Sequence, residues 1–366
     1  MHTTEYAGPG REVPPPDDLE EVKIGWFGPK DDGDEGTGMM WQAATMAVEE
    51  ANQAGGFQGL PFRLVPGWSV NPWGTGIRDV TRLVYEERVW ALVGAPDGPS
   101  AHLAAQVVAK ARLVFISPVS TDKTTNLANV PWIFSCAPGD HLQAATLADS
   151  ILAQSEGCGV AVVSATDHDS RLFTTELLSA LNKREVFPAL HLRFRAGCTD
   201  FAGQLADLAD GEVKAIALIA GADDSARFLT TLRRDDPEVA VIGGTAMGRA
   251  DFLEAAGSAA DGVTFPLLWH QAAAGERSST FFQHFHDRFG VKPDYTAAHT
   301  YDAVNLLTAA VKKAGLNRVR IRDAVRELSP FSGVTGVITW DPTGSNLRPV
   351  QLGTIHNGRR RPAGEP

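Results

Sequence analysis

Val114-Phe115-Ile116-Ser117-Pro118-Val119-Ser120-Thr121 is an apolar run that stops abruptly in small hydroxyl residues. In an open α/β sheet, ligands gather in the crevice beyond the carboxyl ends of the strands. A strand ending in Ser, Thr and free backbone amides suits a polar group there. Just upstream, Val89-Trp90-Ala91-Leu92-Val93-Gly94 reads as a second apolar strand, ending in Ala95-Pro96-Asp97-Gly98-Pro99-Ser100 before the helical pattern Ala101 to Ala111. Two neighbouring strand ends thus offer turn backbone and hydroxyls to one crevice, and the chemistry expected there is binding.

Outward from this pair, strand and helix signals alternate with short loops, the pattern of a parallel sheet covered on both faces. Val22 to Gly28 opens as a strand, Met39 to Ala54 has apolar residues near every third or fourth position, and Gly55-Gly56 stops that helix. After Ala137-Pro138 the rhythm restarts, from a helix at Gln143 to Gln154 through strands at Val160 to Ser164, Ala189 to Arg193, Ala215 to Ile219, Ala240 to Gly243 and Gly262 to Leu268. The same supersecondary unit is therefore used twice. The helices expected at Ser278 to Phe289, Thr296 to Ala314 and Arg320 to Leu328 are too few for a third domain, and are expected to complete the first. Gly336 to Trp340 and Leu347 to His356 read as closing strands around the Asp341-Pro342-Thr343-Gly344 turn.

Composition narrows the function classes. The 366 residues suffice for two domains with separate cores, and 43% hydrophobic with 21% charged residues is ordinary for a globular protein. A formal net charge of -11 argues against a nucleic-acid or anionic-membrane partner, either of which calls for a clustered basic face. Arg359-Arg360-Arg361 reads as a solvated end. No apolar run reaches the roughly 18 residues of a membrane span. Met1 to Asp18, polar and Pro-rich, reads as a flexible leader without the features of an export signal, so export would require that a targeting segment was removed or replaced. Of the three cysteines, Cys136 reads as a small buried hydrophobe, while Cys158 and Cys198 fall at opposite ends of successive strands and make a poor disulfide pair.

Gly94 to Ser100, Ile116 to Thr121 and Ala137-Pro138-Gly139-Asp140-His141-Leu142-Gln143 resemble motifs of the type I periplasmic binding proteins of the branched-chain amino acid class. Asn52 to Gly59, Gly197 to Phe201, Ala256 to Val263, Tyr301 to Val304, Gly333 to Gly336 and Trp340-Asp341 match in the same order. The resemblance implies an α/β fold of two doubly wound, Rossmann-like lobes joined by a three-strand hinge, the periplasmic binding protein-like I fold. The crossings would lie near 134–138, 265–269 and 334–339. The implied division is a leader at 1–20, lobe 1 at 21–136 plus 268–334, lobe 2 at 137–267 plus 335–358, and a tail at 359–366.

The same resemblance implies an extracytoplasmic or periplasmic solute-binding protein of an ABC importer, a monomer or weak dimer without cofactor or metal. A small polar metabolite would be held between the lobes by hinge closure, and an ABC membrane permease would be the partner. A ligand-sensing protein of the amide-regulator type is the alternative. In relatives that bind amino acids, the first lobe grips the α-carboxylate at positions matching Gly98 to Ser100 on one loop, and Val119 and Thr121 on the other; Asp97, Ser117 and Ser120 on the same two loops are further candidate ligand contacts. Asp97 stands where the family usually has a small hydroxyl residue, and it would repel a carboxylate. In the second lobe, Asp169 stands at the position of the family's cleft aromatic, and Thr245 at that of the acid that pairs with the substrate ammonium. Trp26 and Trp269 are expected to face the cleft as aromatic walls, or else to pack in the core or hinge. Ser120 and Thr121 could instead cap a turn.

Other chemistry is poorly supported. Asp31-Asp32-Gly33-Asp34-Glu35-Gly36 lacks the ligand ladder of a calcium loop and reads as an acidic rim. His284 and His286 fall on different helix faces, which disfavours zinc. No nucleophile elbow, phosphate loop or dinucleotide fingerprint is present, and His168 between Asp167 and Asp169 has no nucleophile spelled out beside it, so an enzyme is not expected.

Overall fold

A computed structural model describes residues 5–30, 38–68, 75–128, 130–156, 159–236 and 238–364. The acidic run at 31–36 and Cys158 lie outside the described residues. The chain forms two compact units: Met1–Gly139 with Gln271–Arg348, and Asp140–His270 with Pro349–Pro366.

The first unit is built on a six-stranded sheet. In chain order its strands are β1 (Val22–Phe27), β2 (Phe62–Pro66), β3 (Ala91–Gly94), β4 (Phe115–Ser117), β5 (Ile133–Pro138) and β13 (Ser345–Asn346). They lie side by side as β13-β5-β4-β3-β1-β2, with every pairing parallel. Parallel strands are covered on both faces and so read as continuous apolar runs. All four residues of β3 and all six of β5 are buried. One face carries α1 (Gly38–Gln53), α11 (Tyr295–Ala314) and α12 (Arg318–Glu327), whose Ala44, Ala47, Leu307 and Ile321 close over Ile24 and Ile116. The other carries α2 (Ile77–Thr81), a π-helical turn at Arg82–Glu86, and α3 (Gly98–Ala111) over Leu92 and Phe115.

The second unit has seven strands: β6 (Val160–Ala165), β7 (Leu190–Phe194), β8 (Ala215–Ile219), β9 (Ala240–Gly243), β10 (Thr264–Leu267), β14 (Gln351–His356) and β15 (Arg359–Pro362). Their order is β15-β14-β10-β9-β8-β6-β7, parallel except where β14 joins antiparallel to β10 and to β15. Helices α5 (Asp140–Ser155) and α6 (His168–Asn182) cover one face. Helices α7 (Ala202–Asp210), α8 (Ala222–Asp235) and α9 (Ala250–Ala256) cover the other. Both units are thus doubly wound.

The structure departs from the sequence expectation at the lobe boundaries, in the leader and in the tail. Residues 137–139 and 335–348, expected in the second lobe, belong to the first unit, and 268–270, expected in the first, belong to the second, so the last crossing falls at 348–349 rather than at 334–339. Asp302 on α11 accepts the backbone N–H of Val334 at 2.7 Å and of Thr335 at 2.9 Å, and Trp340 packs on Phe134 with ring centroids 5.3 Å apart. Gly336 to Ile338 pairs with β11 (Phe331–Gly333) as β12, a separate hairpin. The described part of the leader, from residue 5, is docked: Arg11 pairs with Asp323 at 2.8 Å, Asn317 donates to the carbonyls of Gly10 and Val13, and the Tyr6 ring lies 4.7 Å from Trp132. The tail at 359–362 is the edge strand β15, and Arg360 Nη1 donates to the Gly248 carbonyl. Among the described residues no helix is long and apolar enough to cross a membrane.

Candidate functional site

In a parallel sheet all the carboxyl ends share one edge, so β3 and β4, paired through Leu92–Phe115 and Val93–Ile116, bring the loops after them together. The β3 loop turns tightly beneath β1. Gly94 has φ +132°, and a Cβ there would lie 2.3 Å from the Phe27 carbonyl oxygen, so only glycine fits. Asp97 then caps α3: its carboxylate accepts the Ser100 backbone N–H at 2.8 Å, while Ser100 Oγ reaches back toward the Asp97 backbone. Such caps contribute about 1 kcal/mol. Asp97, Gly98 and Ser100 therefore form the start of a helix, and the carboxylate already occupies much of its positive end.

The β4 loop differs. Ser117 is fully buried and Ser120 is 5% exposed, yet neither hydroxyl has a hydrogen-bond partner among the described residues. A buried hydroxyl left unpaired costs about 1–3 kcal/mol, so two at the end of one strand require an explanation. The Val119 side chain belongs to the core, and Thr121 is half-buried at the loop's outer end. Beyond it, Asp122 accepts the Thr124 backbone N–H at 2.8 Å, and His102 Nε2 lies 2.9 Å from both Asp122 Oδ2 and Thr124 Oγ1. Sequence reasoning passed over this His102–Asp122 pair, because residues 20 apart meet only once α3 packs beside the loop.

Trp26 is not a cleft wall. It is fully buried in the first unit's core, its indole N–H donating to the Pro29 carbonyl at 3.0 Å and its ring tilted against Trp41. The apolar alternation of β1 turns it inward.

The second unit carries the corresponding strand tips on β6, β8 and β9, which are adjacent. Asp167 caps α6 through the Ser170 N–H at 3.0 Å, which leaves Asp169 half-buried in the first helical turn. After β9, Gly243 admits the Met247 side chain where a Cβ would lie 1.8 Å from its sulfur. Thr245, two residues on, donates its hydroxyl to Gln143 Oε1. Gln143 is fully buried on α5, and nothing in the sequence alone marks it as the partner of Thr245, 102 residues away. Trp269, just after β10, is 5% exposed.

Known proteins share this architecture. The Leu/Ile/Val-binding protein homolog 1 of Brucella abortus is 22% identical over 309 residues, covering 84% of this chain and 82% of the relative. A branched-chain amino acid transporter substrate-binding protein from Streptococcus pneumoniae, solved in complex with isoleucine, superposes with a TM-score of 0.84 at 21% identity, covering 93% of this chain and 97% of that one. A solute-binding protein of an ABC transporter from R. palustris, solved with benzoate, gives a TM-score of 0.82 at 17% identity, covering 94% and 96%. At these identities the structural likeness establishes the fold. The family model described as periplasmic binding protein matches residues 21–360, and the chain belongs to that family.

Proposed function

We propose that the protein is the extracytoplasmic solute-binding component of an ABC importer, capturing a small polar metabolite such as an amino acid or a related carboxylate or amide. The observation that carries this is the pair of buried, partnerless hydroxyls of Ser117 and Ser120 at the carboxyl end of β4, where doubly wound sheets bind ligands. A solute that accepts from or donates to both removes their desolvation cost, which turns an unfavourable feature of the empty protein into affinity. The names of the relatives, among them a Leu/Ile/Val-binding protein homolog, support this solute class. The isoleucine and benzoate found in the two solved structures widen it to acids without an amino group. In this reading the first unit takes the solute and the second, through Asp169, Thr245 and Trp269, closes over it, with a membrane permease as the downstream partner.

The test is a thermal-shift and native mass spectrometry screen of amino acids, amides and aromatic acids on the wild type and on the double variant Ser117→Ala/Ser120→Ala. At least one metabolite is expected to bind the wild type and to lose about tenfold or more in affinity in the variant, the worth of one to two hydrogen bonds. Undiminished binding in the variant, or chemical turnover of the bound metabolite, overturns the proposal.

A further inference from the structure

A concavity of about 870 Å³ lies in the first unit. Its walls come from α1, α11, β11 and α10 (Glu276–Phe289), and none of the residues assigned to the strand-tip site lines it. The volume falls within the range of metabolite pockets. Its lining combines two kinds of surface. Aromatic faces come from Phe281, Tyr301 and Phe331, with the first two rings 4.8 Å apart. Carboxylates come from Glu50 and Glu276 at the sides, with Asp302 buried at the base.

The charges there are unevenly satisfied. Glu50 Oε2 accepts the Tyr301 hydroxyl, which leaves Oε1 without a protein donor among the described residues. Glu276 is exposed at the rim and forms no ion pair among the described residues. Of the cations nearby, Arg288 lies outside the lining and spans both oxygens of Glu49, so that pair is closed. Arg277, exposed in the lining, donates to the neutral Ser332 carbonyl and offsets one of the two carboxylates, and His284 is the other basic group of the rim, which leaves the groove with a net negative charge. Asp302 is spent on the Val334 and Thr335 backbone and on the Thr335 hydroxyl.

Aromatic faces flanked by unpaired carboxylates are the recognition chemistry of an ammonium group: the ring quadrupole attracts the cation, and the carboxylate supplies a charge-assisted hydrogen bond. We propose that the groove between α10, α11 and β11 is a second binding site that takes a small organic amine through Glu50, Glu276 and the rings of Tyr301, Phe281 and Phe331. An amine there would also lie against Ser332 and Val334, next to the backbone that Asp302 holds in place.

Isothermal titration of the full-length chain with putrescine, and with 1,4-butanediol as its uncharged counterpart, tests the site. Putrescine is expected to bind at least about tenfold more tightly than the diol, the effect of one charge-assisted contact. Glu50→Gln and Glu276→Gln should each weaken putrescine several-fold, while Ser117→Ala/Ser120→Ala leaves it unchanged. Glu276→Gln alters an exposed side chain and Glu50→Gln retains an acceptor for Tyr301, so both variants should fold. No binding of putrescine at millimolar concentration, equal binding of the diol, or loss in the serine double variant with retention in both glutamine variants overturns the proposal. The last outcome would move the amine to the strand tips and leave the importer function untouched.

Discussion

A hydroxyl buried with nothing to bond is a cost to the folded state, about 1–3 kcal/mol, that an alanine does not carry. Ser117→Ala/Ser120→Ala is therefore expected to leave the unliganded protein as stable as the wild type or more so in urea denaturation, even as it removes solute affinity. Trp26→Ala should behave in the opposite way, losing about 3–5 kcal/mol because a core indole and its bond to Pro29 disappear. If the serine pair lost stability on the scale of Trp26, its hydroxyls would have structural partners and the site would lose its basis. At this scale the sequence is partly legible. Hydroxyls ending an apolar run mark a strand tip, and the structure places Ser117 and Ser120 there. Helix capping and ligand binding use the same residue types, so Asp97 and Ser100 could not be separated from a ligand contact before their mutual bonds were visible. Trp26, which the sequence offers either to the cleft or to the core, lies in the core, because it alternates with Val22 and Ile24 on one face of β1.

Helix α11 carries two buried titratable groups whose effects on stability run in opposite senses with pH. Burial, aided by Arg348, pushes the His299 imidazole from 6.5 down to about 3. Between those values the unfolded chain binds a proton that the native state refuses, so this group removes stability as pH falls below 6.5. Burial raises the Asp302 carboxyl from 3.8 to about 6, against the pull of the Thr335 and Val334 donors and Arg348. Between 3.8 and 6 the native state holds a proton that the unfolded chain has released, so this group adds stability as pH falls across that window. Going from pH 7 to 4.5, His299→Gln is expected to lose less stability than the wild type, by up to about 3 kcal/mol, and Asp302→Asn to lose more, by up to about 2 kcal/mol. Urea midpoints at the two pH values measure both, and identical losses in all three proteins would reject the assignment. The elements themselves were largely readable, because strands buried on both faces are continuous apolar runs and the helices between them keep a 3.6-residue period. The pairings that were not readable are long-range. Arg359–Pro362 is too basic to resemble a strand and becomes one only against β14, and the leader gains its order from Asn317 and Asp323.

Each unit has its own sheet with a core on both faces, so heat is expected to unfold the empty chain in two overlapping transitions rather than one. A ligand stabilises only what it touches in the folded state, by about 2.7 kcal/mol at a hundredfold excess over its dissociation constant. A solute held by Ser117, Ser120 and Thr121 alone would raise the transition of the first unit and leave the second where it was. One that also engages Asp169 or Thr245 must raise both. The tryptophans can tell the two apart, since of the eight only Trp269 lies in the second unit. Tryptophan fluorescence therefore follows mainly the first unit, while calorimetry records both. For the solute found in the screen, the two records should diverge in the empty protein and converge at a higher temperature at saturation. Fluorescence that shifts upward while a calorimetric component stays in place would confine the solute to the first unit, leaving the strand-tip hydroxyls as its site and removing closure of the second unit from the mechanism.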